Sequence, residues 1–240
     1  MEVNSFDNFQ THKQLFTDAI LKAAAGLLFP SGTDIPESCI TLGGNSSQAR
    51  VRIWKELKEC GYVPNEIDSG TFRDFSNVER IDLIIKTATR VANGLRRFLS
   101  DQTDIDEYPA WELHCVYDRN PPENNWPNFW RAAAKAAHDD GALRVLEKYR
   151  RMVALKSSSI WQALGNGEGG NDKALGNKWP PFAVDSGFDV DGVPYNECVR
   201  DLNLLNADGR VEPAVIPSPE NIAQKFTEIF SQYLMRLDEN

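Results

Sequence analysis

The sequence predicts a helix-rich α+β fold, with one long central amphipathic helix and a small sheet in the C-terminal half. Three observations favour this class. Residues 76–100 keep an apolar helical period, residues 111–117 and 152–155 are short apolar runs typical of strands, and glycines and prolines separate the elements. We expect a mostly helical part over residues 1–105 and a mixed part over residues 106–240, as two small domains or one continuous domain.

Two amphipathic helices are predicted ahead of the long one. The first covers about residues 12–28 and ends at a segment that contains proline and glycine. The second begins near Ser46 and ends near Cys60, with Gly61 placed to cap its C-terminus. Its expected apolar side chains are Val51, Trp54 and Leu57.

The long helix is predicted from Ser76 to about Ser100, because residues 76–79 form a capping-box pattern and the apolar period follows directly. Lys86, Arg90 and Arg97 fall within an arc of about 40° opposite the apolar stripe. A solvated helix face is the ordinary interpretation of this basic ridge. The alternative is a ridge that binds phosphate or acidic groups.

The C-terminal half alternates short strands and helices. Trp111–Tyr117 and Met152–Leu155 are predicted strands because they are short and rich in apolar residues. Pro127 suits the first turn of a helix that continues to Gly141. A short helix at Ile160–Leu164 and a terminal amphipathic helix over residues 218–237 complete the pattern.

Residues 165–181 are rich in glycine and asparagine and lack periodicity, which predicts a long loop and marks a candidate contact surface. At its end stands a stiff aromatic segment of Trp179, Pro180, Pro181 and Phe182, whose prolines fix an extended backbone. Its two aromatic side chains either dock on a neighbouring protein or pack under the loop.

Composition limits the classes of function. Lys and Arg number 26 against 35 for Asp and Glu, and the net charge of -9 disfavours general binding to nucleic acid. The first residues lack the pattern of a secretory signal and no apolar run is long enough to span a membrane, so we expect a soluble cytosolic protein. The four cysteines lie far apart, which disfavours a zinc site or a disulfide framework.

No cofactor or metal site is expected. Residues 165–170 match G-x-G-x-x-G, but a predicted helix precedes them and none follows, so the setting of a dinucleotide site is absent. Asp185, Asp189 and Asp191 suggest a calcium loop, yet the register fails at the positions of Gly187 and Cys198. An acidic turn is the preferred interpretation.

An enzyme remains an alternative. His114 and Cys115 are strand neighbours whose side chains point to opposite faces, so they cannot form a nucleophile–base pair. His138 lies beside Asp139 at a predicted helix end. A hydrolase would need His114 or His138 to meet a thiol, hydroxyl or carboxylate in one pocket, and no motif supports that arrangement.

Several segments in a fixed order resemble the minor head (head morphogenesis) proteins of Mu-like tailed bacteriophages and prophages. The resemblance covers about residues 70–205, and the matching strings are Thr71-Phe72-Arg73-Asp74, Arg80–Thr87, Tyr108–Leu113, Arg151–Lys156 with Ile160-Trp161, and Trp179–Phe182 with Ser186-Gly187. None of these strings is a catalytic signature.

The resemblance implies a non-enzymatic virion protein that assists head assembly or DNA packaging near the portal, in the virion and, during assembly, in the host cytoplasm. The expected partners are portal or capsid subunits, packaged DNA through the basic ridge, or a second copy of the chain, with no membrane. The expected contact residues are Lys86, Arg90, Arg97, Trp179, Pro180, Pro181 and Phe182. A cytosolic hydrolase and a nucleic-acid-binding accessory factor are the alternatives.

Overall fold

The computed structural model describes residues 46–59, 61–64, 66–116, 125–184, 186–207, 209–213 and Glu228. The predicted helix at residues 12–28 lies outside the described residues, as does the predicted terminal helix apart from Glu228, which is helical. Helices and a small antiparallel sheet make up the described chain, so the α+β class is confirmed. None of the described helices combines the length and apolar character needed to cross a bilayer.

The described elements follow one another along the chain as α1 (Ser46–Glu59), α2 (Val78–Ser100), β1 (Ala110–Cys115), α3 (Trp126–Ala136), α4 (Asp140–Tyr149), β2 (Met152–Leu155), α5 (Ile160–Gly165), β3 (Phe188–Val193) and α6 (Tyr195–Arg200). The sheet has the order β2-β1-β3 and both pairings are antiparallel. The described residues group into two compact units, one up to Ala92 and one from Asn93, so α2 contributes to both.

In the N-terminal unit, α1 buries Ala49, Ile53 and Leu57, which recur every four residues along one face. The apolar face predicted for this helix was therefore wrong in two positions, because Val51 is 61% exposed and Trp54 is 39% exposed. An ion pair joins α1 to α2, in which the Arg50 guanidinium donates to both Asp82 carboxylate oxygens at 2.6 and 2.8 Å.

The start of α2 also differs from the capping box predicted at residues 76–79. The helix begins at Val78, and the residue before it, Asn77, accepts a hydrogen bond from the Arg80 amide at 3.1 Å. Asn77 thus supplies the N-terminal cap. The Ser76 hydroxyl donates instead to Asp74.

In the C-terminal unit the sheet separates two apolar clusters, because neighbouring side chains of β1 point to opposite faces. Ala110 packs with Val145 of α4, Val153 of β2, Val193 of β3 and Cys198 of α6. Trp111 packs on the other side with Phe98 and Trp161, at ring-centroid distances of 5.9 and 5.4 Å. The indole N–H groups of Trp111 and Trp161 donate to Asp101 Oδ2 and Leu155 O, so both rings are buried with their polar atom satisfied.

Two element predictions in this unit were wrong. The helix predicted to reach Gly141 ends at Ala136; His138 has a φ of +52°, and α4 starts anew with Asp139 as its cap. The acidic turn predicted around Asp189 and Asp191 is the strand β3, which pairs with β1 along its full length.

Arg151 ties β1 and α6 to the start of β2. Its guanidinium donates to both carboxylate oxygens of Glu112, at 2.8 and 2.6 Å, and also to Glu197. Hydrogen bonds from Arg151 to Glu112, and then to Glu197, raise the pKa of this guanidinium, and burial only partly opposes that effect. The bidentate pair with Glu112 orients the guanidinium, and its hydrogen bond to Glu197 joins α6 to the sheet.

Candidate interaction surface

Exposed large apolar side chains are concentrated in the N-terminal unit. Among the described residues, six of the eight lie between positions 51 and 78: Val51, Trp54, Val63, Ile67, Phe72 and Val78. Scattered exposed apolar residues are common on soluble proteins, whereas a concentration of them on one part of the surface is typical of a contact site. Three of the six, Ile67, Phe72 and Val78, belong to one segment, residues 66–78, which we call the display turn.

The display turn is held from inside by Asp74, which is only 5% exposed. Its carboxylate accepts hydrogen bonds from the Gly70 amide at 3.0 Å, the Ser76 amide at 2.8 Å and the Tyr62 hydroxyl at 3.2 Å. The Ser76 hydroxyl donates to the same carboxylate at 2.6 Å. Four donors thus converge on one buried anion and fix the backbone on both sides of it.

These contacts set the protonation states of Asp74 and Tyr62. Burial alone would raise the pKa of Asp74, but hydrogen bonds from Ser76, Gly70 and Tyr62 together lower it below its ordinary value of 3.8. Burial is the main cause that raises the pKa of Tyr62 to about 12. At neutral pH Asp74 is therefore a carboxylate and Tyr62 a neutral phenol that donates to it.

Arg80 supports the turn from the first turn of α2. Its side chain is buried, donates to Phe72 O at 3.1 Å and lies over the Phe75 ring at 4.5 Å. Its guanidinium carbon also lies 6.0 Å from the centroid of the Phe72 ring, which is 40% exposed. A cation fixed beneath an exposed ring holds that ring in place for contact.

The display turn can present apolar side chains on a stiff support. Such preorganisation suits binding, because less conformational entropy is lost when a partner docks. The sequence singles out Thr71–Asp74 only through a resemblance. A further signal lies in Gly70 followed by Asp74 and Asn77 among apolar side chains, which is typical of a turn braced by an Asx side chain.

The structure divides the predicted basic ridge. Lys86 is exposed and Arg90 is partly buried in the N-terminal unit, whereas Arg97 belongs to the C-terminal unit. The Arg97 guanidinium lies 3.3 Å from Asp189 and 3.2 Å from Asp191, and 3.8 Å from Asp101. Three carboxylates thus surround this cation and offset its attraction for phosphate or for an acidic partner.

The stiff aromatic segment lies inside the C-terminal unit. Trp179 is 5% exposed and Phe182 is fully buried, and their rings contact Phe98 and Trp161. Pro180 is buried and Pro181 is partly buried. Of the two interpretations, packing under the loop describes the structure. A docking function for these aromatic rings was wrong, because a partner needs them at the surface.

The two described histidines lie in different surroundings. His114 Nδ1 is 3.5 Å from Asp191 Oδ2, at the β1–β3 pair. His138 lines a polar cleft with Ser157, Ser158 and Arg144. The Ser158 hydroxyl in that cleft is hydrogen-bonded to Asp139. No described serine or cysteine forms a hydrogen bond with either histidine, and no described cluster of acidic, histidine or cysteine side chains could hold a metal ion.

Comparisons of the chain with protein-family models, with curated proteins and with solved structures give no match.

Proposed function

We propose that this chain is a non-enzymatic structural protein of a phage or prophage virion, a minor head component that assists head assembly or DNA packaging near the portal. Its partners in this proposal are portal or capsid subunits, met in the host cytoplasm and retained in the virion. The resemblance over residues 70–205 supplies the class, with α2 as the central amphipathic helix that carries the display turn at its start.

The observation that carries this proposal is the display turn, where a buried Asp74 and a buried Arg80 brace three exposed apolar side chains. Burying charged groups costs free energy unless they are hydrogen-bonded, so buried charges beneath a surface turn suggest that the fixed shape of the turn is important. A protein that binds other proteins through this turn needs such a fixed shape. Ile67, Phe72 and Val78 are the residues that we place against the partner.

Co-purification tests the proposal. The tagged full chain is expressed together with the genes that neighbour its own, and the proteins that it retains are identified by mass spectrometry. We expect portal or capsid subunits in the recovered complex. A stand-alone monomer that retains neither of them, and that instead turns over a metabolite, contradicts the proposal and favours the hydrolase alternative.

A further inference from the structure

An apolar groove of about 560 Å³ lies beside the C-terminal half of α1. Its lining includes Trp54, Leu57, Lys58, Tyr62, Val63 and Pro64. The Trp54 indole N–H donates to Ser76 O at 3.1 Å, which fixes the ring while 39% of the residue stays exposed. Val63 is 77% exposed. The groove therefore presents a fixed aromatic side chain and open apolar surface, as a site that receives an apolar helix face does.

The charge beside this groove is positive. Helix α1 carries four Lys or Arg residues against two Glu residues. Arg50 is paired with Asp82, and Lys55 lies 3.6 Å from Glu59. Lys58, which lines the groove, forms no ion pair with any residue that the structure describes. A segment with an apolar stripe and nearby carboxylates complements this surface.

Such a segment exists in the chain itself at residues 218–237, of which the structure describes Glu228. Its stripe is Ile222, Phe226, Ile229, Phe230, Tyr233 and Leu237, which keep a helical period. The segment holds Glu220 and Glu228 against Lys225 and Arg236, and Asp238 and Glu239 follow it directly. Glu228 is helical and exposed, as a residue on the polar side of such a helix should be.

We propose that the segment of residues 218–237 docks its apolar stripe in the α1 groove of its own chain, with one of its carboxylates against Lys58. The groove and the proposed contact site for a partner are then separate, because Ile67, Phe72 and Val78 do not line the groove. This docking buries the apolar surface of the groove and of the stripe within one chain, and it leaves the display turn accessible to other proteins.

Photo-crosslinking in the full chain tests the docking. Benzoylphenylalanine replaces Val63, and an equal mixture of isotopically light and heavy protein is irradiated and digested. We expect crosslinked peptides from residues 218–237, all light–light or heavy–heavy, because the contact is within one chain. The matched control carries the probe at Ile67, which is 85% exposed in the same unit but does not line the groove, and it should give no such peptides. Mixed light–heavy products, or no crosslink to residues 218–237 from position 63, overturn the proposal.

A charge reversal tests the contact with Lys58. Lys58→Glu in the chain that carries the probe at position 63 should lower the crosslink yield about threefold, the scale of one screened surface charge contact. Lys55→Glu is the matched control on the same helix, and its yield should stay unchanged. Circular dichroism checks that both variants keep their helix content. Equal yields from the two variants overturn the contact between Lys58 and a carboxylate.

Discussion

Asp74 shows how much of a surface can depend on one side chain. Its carboxylate accepts from four donors, and its removal leaves those donors without an acceptor in a buried place. We expect Asp74→Ala to lower the free energy of unfolding by about 3 kcal/mol, because several buried hydrogen bonds to a charged group are lost together. Urea unfolding measures the loss, and hydrogen exchange should show faster exchange of the Gly70 and Ser76 amides. Tyr62→Phe removes one donor to Asp74 and the hydroxyl that accepts from the Phe75 amide at 3.0 Å, and it should cost about 1–2 kcal/mol. Equal costs for the two variants would contradict this account.

The ionisation of Asp74 makes the stability of the N-terminal unit depend on pH. The folded-state pKa lies below the ordinary value of 3.8, so the carboxylate stabilises the fold above that value. The stabilisation by Asp74 decreases as the pH falls below 3.8 and is lost once the pH passes the lowered pKa, because the unfolded chain binds the proton more readily than the folded chain does. Asp74→Asn cannot titrate and should show a shallower loss of stability in acid. Urea midpoints between pH 2 and pH 6 check this, and parallel curves for the two proteins would refute it.

The close packing around Gly94 explains why a glycine occupies this position within α2. A Cβ atom there would lie 1.5 Å from Pro180 O, so the helix and the stiff aromatic segment meet backbone to backbone. Gly94→Ala should destabilise the fold by at least about 3 kcal/mol despite the better helix propensity of alanine. Gly141→Ala is the matched control in α4, where the new Cβ would meet only side-chain atoms, Leu204 Cδ2 at 3.2 Å and Asp139 Oδ1 at 3.3 Å, and it should change stability by less than about 1 kcal/mol. Thermal unfolding measures both, and a neutral Gly94→Ala would show that the close approach is absent.

At the scale of elements, the cap of α4 carries a local prediction. Asp139 accepts from the Ala142 amide at 2.8 Å and from the Ser158 hydroxyl, so it joins the helix start to the segment after β2. We expect Asp139→Ala to lower the free energy of unfolding by about 1–2 kcal/mol. Asp140→Ala, one position later and exposed, should cost only about 0.3 kcal/mol through the helix dipole. Urea unfolding of the two variants decides between a cap and a general charge effect at this helix start.

Local pattern predicted the elements that local interactions fix. The positions of α1, α2, β1, β2 and α5 follow from apolar period and from capping or turn residues near their ends. β3 was missed because Asp189, Asp191 and Gly192 disfavour a strand by propensity, and pairing with β1 overrides them. The exposed side of α1 was misplaced because Trp54 is apolar by type, while the burial of Ala49 and Ile53 depends on distant packing. The hydrogen bonds beneath the display turn need Tyr62, Asp74 and Arg80 together, and the hydrophobic periodicity of the sequence does not predict contacts of that kind.

At the scale of the whole molecule, the chain combines a net charge of -9 with an apolar display turn on one unit. Net negative charge repels polyanions and so disfavours unspecific contact with nucleic acid. Recognition then depends on shape and apolar area, so binding through the display turn should change little with salt. Contact with DNA through phosphates would instead weaken steeply as salt rises.

Recovery of a partner should therefore depend on the display turn and not on exposed apolar residues in general. The double variant Ile67→Ser with Phe72→Ser removes two exposed apolar side chains without touching the hydrogen bonds of Asp74, and we expect recovery of portal or capsid subunits to fall at least about tenfold. Val116→Ser is the matched control, because Val116 is 56% exposed but lies in the C-terminal unit. Quantitative mass spectrometry of the co-purified proteins measures both variants, with circular dichroism to verify folding. If the control loses the partner as strongly as the double variant does, or if neither variant loses it, binding does not occur through the display turn.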